Sequence, residues 1–244
     1  MKTMLPFLFL FLLSISVQAQ NKITKSYPVK EGQQISLSFD FPKTIKLSSW
    51  DKNEISIVAT VSTEDGENID AFILRDSVVN NTISIRNKID WDKVPTQYFV
   101  VANGIKTSFP TKQDFENYKK ENSAILPNAS FYTQRDFVIN LEVKIPTNTY
   151  SRIKSTYGMI ELVDFKATSA IEATHGGIDA SMNESQIGKI KLTNRFGKIY
   201  SNLQLTATEK KDGNFFTSIT AKPGKGPEYD LSSSYGNIYL RKSH

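Results

Sequence analysis

One pattern recurs four times in the C-terminal part of this chain and limits what the chain can fold into. The copies read IKSTYGMIEL from Ile153, IEATHGGIDA from Ile171, LTNRFGKIYS from Leu192 and LSSSYGNIYL from Leu231. Aligned on Gly158, Gly176, Gly197 and Gly236, each has Ile or Leu five positions before the glycine, a ring immediately before it and Ile two positions after. This spells a strand, a tight corner and a second strand. Units repeated at short spacing bury their apolar faces by stacking on one another. The pattern therefore predicts an all-β chain whose residues 147–244 form a single-stranded parallel β-helix, or β-solenoid. Ile160, Ile178, Ile199 and Ile238 would form one inward ladder, and Ile153, Ile171, Leu192 and Leu231 a second. The glycine spacings are 18, 21 and 39 residues. The last is close to twice the others, which predicts a degenerate rung near SITAKPG from Ser218.

Each corner glycine is read as structural: the backbone there either turns through positive φ or approaches the next turn too closely for a Cβ. The rings before them, Tyr157, His175, Phe196 and Tyr235, have two readings. Packed on the core, they are ordinary ladder residues. Exposed, they form an aromatic stripe suited to a sugar ring or a partner protein. The sequence leaves both open.

Upstream, residues 20–146 read as an N-terminal antiparallel β region. Ile35, Leu37 and Phe39 alternate with polar residues, the signature of a half-buried strand. TIKLSSW and EISIVATV, joined through Asp51, Lys52 and Asn53, read as a hairpin. Asn80 and Asn81 mark a second hairpin turn, because Asn tolerates left-handed backbone angles. From about 91 to 136 the alternation fades into an irregular insertion with one short helix in TKQDFENYKKEN, capped by Thr111. FVINLEVKIP then restores the alternation.

The first 19 residues combine Lys2, an apolar run from Met4 to Leu13 and Ala19. They are expected to be a secretory signal peptide, too short in its apolar part for the roughly 20 residues that cross a bilayer. Cleavage after Ala19 would leave 29 basic (30 less Lys2) against 25 acidic residues, so a net charge of about +4. The charges are interspersed, with no basic run carrying aromatics, so no nucleic-acid groove is expected. There is no Cys, hence no disulfide and no Cys-borne lipid anchor. The expected location is outside the cytoplasm, in the periplasm or at the cell surface.

Catalytic groups are sparse. Of two histidines, His244 is the last residue and His175 fills a ring slot, so a structural ring is expected there rather than a general base. With no Cys and one usable His, no transition-metal site or cofactor is expected. Glu64, Asp65, Glu67 and Asp70 form an acidic loop without EF-hand spacing. Asp164, Glu172, Asp179 and Glu184 are the carboxylates from which a glycosidase pair could be drawn.

The WDKNEISIVATV segment and the C-terminal S/T-x-x-G-x-I copies resemble the adhesin-like β-solenoid domains of Bacteroidetes-type envelope proteins, over roughly Ile35 to Leu240. That resemblance implies a non-catalytic exported scaffold or binding surface with no catalytic residues to carry over. Its partners would be an envelope polysaccharide or another envelope protein. The alternatives are a carbohydrate-active β-helix enzyme using Asp or Glu, and a structural protein that self-assembles edge to edge through an uncapped strand after Gly236.

Overall fold

The structure, a computed structural model, describes residues 22–63 and 69–243. The expected signal peptide and most of the acidic loop (Glu64, Asp65 and Glu67) lie outside the described residues. Alternation organises the first part of the chain into β1 (Lys22–Pro28), β2 (Gln34–Phe39), β3 (Thr44–Trp50), β4 (Glu54–Thr63), β5 (Phe72–Val79) and β6 (Thr82–Ile89). Between β2 and β3 the chain passes from one sheet to the other, with Ile35, Leu37 and Phe39 and then Ile45 and Leu47 buried in the same core.

β5 and β6 pair antiparallel across Asn80 and Asn81, at φ 47° and 57°. The expected β3–β4 hairpin does not form. β10 (Phe137–Pro146) lies between them, parallel to β3 and antiparallel to β4. Its alternating Ile139, Leu141, Val143 and Ile145 are fully buried, and both flanking strands present a complementary apolar row to them. A short polar turn allows a hairpin; it does not prevent a third strand from taking the central place.

The segment before β10 is not irregular. β7 (Gln97–Ala102), β8 (Ile105–Phe109) and β9 (Ser130–Gln134) make a separate three-stranded antiparallel sheet in the order β8-β7-β9. Asn103-Gly104, both at positive φ, forms the β7–β8 turn, as an Asn-Gly pair favours. The helix α1 (Lys112–Asn122) begins at Thr111, whose hydroxyl accepts from the Asp114 amide. Its buried Phe115 packs among Tyr98, Phe109 and Phe131.

The four recurring segments supply strand pairs: β11 (Ser151–Ser155) with β12 (Met159–Leu162), β13 (Ser169–Ala173) with β14 (Ile178–Met182), β15 (Lys189–Arg195) with β16 (Ile199–Ser201), and, after β17 (Ala207–Gly213) and β18 (Phe216–Ala221), β19 (Glu228–Ser233) with β20 (Ile238–Lys242). The first strand of each pair joins one sheet and the second joins the other. The results are a nine-stranded sheet, β17-β18-β15-β19-β13-β11-β2-β6-β5, and an eight-stranded sheet, β1-β4-β10-β3-β12-β14-β20-β16.

The β-solenoid expectation is therefore corrected. Both sheets are large and mixed, with antiparallel strands at their flanks, and they enclose one core in the manner of a sandwich. A solenoid stacks its turns in chain order, whereas here the fourth copy lies between the second and the third. The 39-residue spacing is not a degenerate rung: SITA belongs to β18, which runs antiparallel to β15 and carries β17 at its outer side. Nor is the strand after Gly236 an open edge, because β20 lies between β14 and β16. The hairpin takes one side of β15, and β19 takes the other.

The predicted aliphatic rows pair in register within this different frame. Leu37, Ile153, Ile171, Leu231 and Leu192 face each other across the nine-stranded sheet, and Ile45, Ile160, Ile178, Ile238 and Ile199 across the eight-stranded one. All but Ile199 are fully buried, each worth about 1.5–3 kcal/mol by transfer. Between the layers, Tyr229 donates its hydroxyl to the Phe165 carbonyl at 2.8 Å.

Burial pushes the Tyr229 phenol up from 10.0 to about 12. The folded chain thus holds a proton that the unfolded chain gives up, so this contribution is complete below pH 10 and is lost as the pH rises to 12. In thermal melts, Tyr229→Phe should cost about 1 kcal/mol at neutral pH by orphaning a buried carbonyl. It should also lose less stability than the wild type between pH 10 and 12. Parallel pH profiles for the two proteins would refute this assignment.

Candidate functional site: an exposed aromatic ridge

The corners between the two sheets stack along one flank of the sandwich, and hydrogen bonds hold them in step. The His175 amide donates to the Thr156 carbonyl at 2.8 Å and the Tyr235 amide to the Thr174 carbonyl at 2.9 Å. The glycines stand directly over one another. A Cβ at Gly158 would overlap the Pro42 carbonyl, one at Gly176 the Gly158 carbonyl, one at Gly236 the Gly176 carbonyl, and one at Gly197 the Gly236 carbonyl. Of the four, only Gly158 has positive φ, at 108°, so close approach of successive turns is the common reason for glycine here.

Buried polar side chains three positions before the glycine tie neighbouring corners together. Ser233 donates from Oγ to the Gly176 carbonyl and accepts from the Gly236 amide. Asn194 donates from Nδ2 to the Gly236 carbonyl at 2.8 Å and accepts from the Gly197 amide.

This packing dictates where the preceding rings go. A ring ahead of each glycine is directed outward, and rings on successive turns meet face to face. Tyr157, His175, Phe196 and Tyr235 are all exposed, at 44% for Tyr157, 58% for Phe196 and 57% for Tyr235. They stack in spatial rather than chain order. Tyr157 lies 5.1 Å from His175, His175 5.0 Å from Tyr235, and Tyr235 5.3 Å from Phe196, with planes 15°, 8° and 8° apart.

The ridge is longer than the repeats indicated. Phe41 extends it at 5.1 Å from Tyr157, and Phe215 at 5.5 Å from Phe196. Phe41 belongs to a fifth corner, between β2 and β3, which carries Pro42 in place of glycine and one extra residue, so a search keyed on glycine passes it by. Its signal was the alternation ISLSFDF ending in a ring before proline. Phe215, 65% exposed, is delivered by the turn between β17 and β18, and no sequence period announces it.

Stacking consumes the faces of the inner rings. Each such pair contributes about 0.5–1.5 kcal/mol beyond its buried area, and what remains for solvent is a line of ring edges. Trp91 meets Phe41 at 5.5 Å with planes 88° apart, and Phe215 is the more exposed of the two end rings. A ridge of edges suits the apolar side chains of a partner protein. A sugar ring, which stacks on an aromatic face, finds the most exposed one at the Phe215 end.

Asp164 lies in the turn after β12, at φ 50°, and Glu172 and Asp179 do not converge. Glu172 pairs with Lys154 at 2.9 Å on the outer face of the nine-stranded sheet, whereas Asp179 is held by Arg241 at 2.8 Å on the outer face of the eight-stranded one. They stand on opposite sides of the sandwich. A hydrogen bond from its own backbone amide, and then the pair with Lys242 at 3.2 Å, hold the Glu184 carboxyl below the usual range. His175 is clasped between two rings, and Asp179 serves Arg241 instead of the imidazole.

No family model matches this chain, and no curated protein matches it. Among solved structures it is similar to a candidate cell adhesion protein from Clostridium sporogenes ATCC 15579, at 9% identity over 91% of this chain and 98% of that one, with a TM-score of 0.45. It is also similar to a candidate adhesin from Bacteroides fragilis NCTC 9343, at 13% identity over 90% and 96% of the two chains, with a TM-score of 0.22. Likeness this remote says nothing about ligand or activity.

Because a side chain at Gly176 meets backbone rather than a movable group, Gly176→Val should cost at least the upper end of the roughly 1–3 kcal/mol typical of overpacking. Val at Lys154, exposed on β11, should change the melting temperature little. Equal melting temperatures would overturn the close-approach account.

Proposed function

We propose that this protein is a non-catalytic, exported cell-envelope protein of adhesin-like type whose aromatic ridge is a contact surface for another envelope protein. The observation that carries this reading is the ridge itself: six stacked rings, exposed along one flank. A contiguous apolar line of this length, kept out of the core, is characteristic of interaction sites. Export is supported by the character of residues 1–19. No helix among the described residues is long and apolar enough to cross a membrane.

The carbohydrate-active alternative draws less support, because Glu172 and Asp179 stand on opposite faces, each in an ion pair. An envelope polysaccharide remains the second partner class for the ridge, at the more exposed Phe215 end.

Replacing Tyr157 and Tyr235 together by Ser tests the reading. The double variant removes four stacked pairs, at most about 2–6 kcal/mol, and its fold is checked by circular dichroism before binding is measured. Its binding to isolated cell envelopes, measured by sedimentation of labelled protein, should fall by about tenfold or more, as for the loss of interface hot spots. Unchanged envelope binding would sink the ridge as the contact surface. Hydrolysis of a polysaccharide panel, abolished by one carboxylate substitution, would overturn the non-catalytic reading.

A further inference from the structure

The fold gathers five basic side chains around one groove. On the outer face of the nine-stranded sheet, β15 presents Lys189, Lys191 and Arg195 along one row. The β17–β18 hairpin adds Lys211 and Lys222 beside them. Together they rim a groove of about 710 Å³ that contains one carboxylate, Glu209. The register of β15 and β18 ends at Ile190 and Ala221, and Lys189 and Lys222 are the next residues beyond that pair, both on the rim of the groove. Among the described residues, only Lys191 of the five has a carboxylate within 4.0 Å, Asp230 at 3.5 Å.

The hollow continues across the sheet. Lys189 and Lys191 also line an adjoining depression of about 350 Å³ that reaches Arg152 on β11, but there Glu172, Glu228 and Asp230 balance the three cations, so the cationic site is confined to the first groove. From β17 to β15 the cationic part spans two strand spacings, roughly 10 Å, enough for a short stretch of a linear polymer. Thr193, Ser218 and Thr220 line the groove with hydroxyls, and Phe216 is the one ring beside them. Such a lining suits sugar hydroxyls, and the cations around it suit carboxylate or sulfate groups. Unstacked nucleic-acid bases call for a row of aromatic faces, and a lipid surface is planar where this one is concave.

We propose that this groove binds an acidic polysaccharide, with Lys189, Arg195, Lys211 and Lys222 engaging its anionic groups. The site is separate from the aromatic ridge and does not rest on the ridge's role.

Fluorescence anisotropy with a labelled oligogalacturonate at low ionic strength should show saturable binding that weakens as salt is raised. Lys189→Glu with Lys222→Glu should weaken it about tenfold or more. Lys22→Glu with Lys25→Glu on β1 makes the same change in net charge at the far side of the other sheet, and should stay within about twofold. The Gln versions of the groove variants give the same comparison if the Glu pair does not fold. The Tyr157→Ser, Tyr235→Ser protein should bind the oligosaccharide as the wild type does, which separates failure of this site from failure of the ridge. Equal loss in the groove and β1 variants would reduce the effect to bulk charge and overturn the proposal. So would absence of binding, or tighter binding to a single-stranded oligonucleotide or to anionic vesicles than to the oligogalacturonate.

Discussion

Backbone against backbone at the corners is the contact on which the rest of this structure depends. Pro42, Gly158, Gly176, Gly236 and Gly197 lie in sequence along one flank of the sandwich, each glycine pressed on the carbonyl of the corner before it. With no Cβ between them, successive corners approach to the distance at which amide and carbonyl pair. That pairing sets the register of both sheets at once, since each corner is the point where the chain leaves one sheet and enters the other. A slip of one residue would turn the aliphatic rows out of the core. The two ladders, one on each side of the interior, are consequences of this spacing.

The same spacing gives the ridge its character. Rings one residue before the glycines are brought about 5 Å apart, which is the separation of neighbouring strands, so they stack because the backbone already does. Stacking stabilises the flank and at the same time hides the ring faces. Function at such a surface belongs to edges and to ends. This is why a protein partner is favoured over a sugar along most of its length, and why exposure alone, without the angles between planes, would point the other way.

Local elements were legible wherever short-range physics decides. The capped helix over Lys112–Asn122, the turn at Asn80 and Asn81 and the buried alternation of Ile139 to Ile145 follow from hydrogen-bond capping, left-handed backbone tolerance and period-2 burial. The corner glycines and rings were picked out by their recurrence. What was not legible depends on neighbours remote in the chain. Nothing local to TIKLSSW or EISIVATV shows that β10 separates them, and nothing in the copies at Gly197 and Gly236 shows that they exchange places. Phe41 was hidden by a proline where glycine was expected. The basic groove was hidden because its lysines come from β15, from β17 and from the residue after β18, each stretch unremarkable in composition.

By itself the sequence determined that this chain is all-β, that its C-terminal copies each contribute two strands joined at a tight corner, and which aliphatic residues face inward. These follow from side-chain period and from the one residue without a Cβ. Only the tertiary structure decided the order in which the strands lie, the mixed two-sheet sandwich in place of a parallel helix, and the outward placement of the rings. A strand's pattern specifies which face is apolar but not which of several equally apolar neighbours it will pair with; that choice is made by the whole set of strands competing for the two sides of each one.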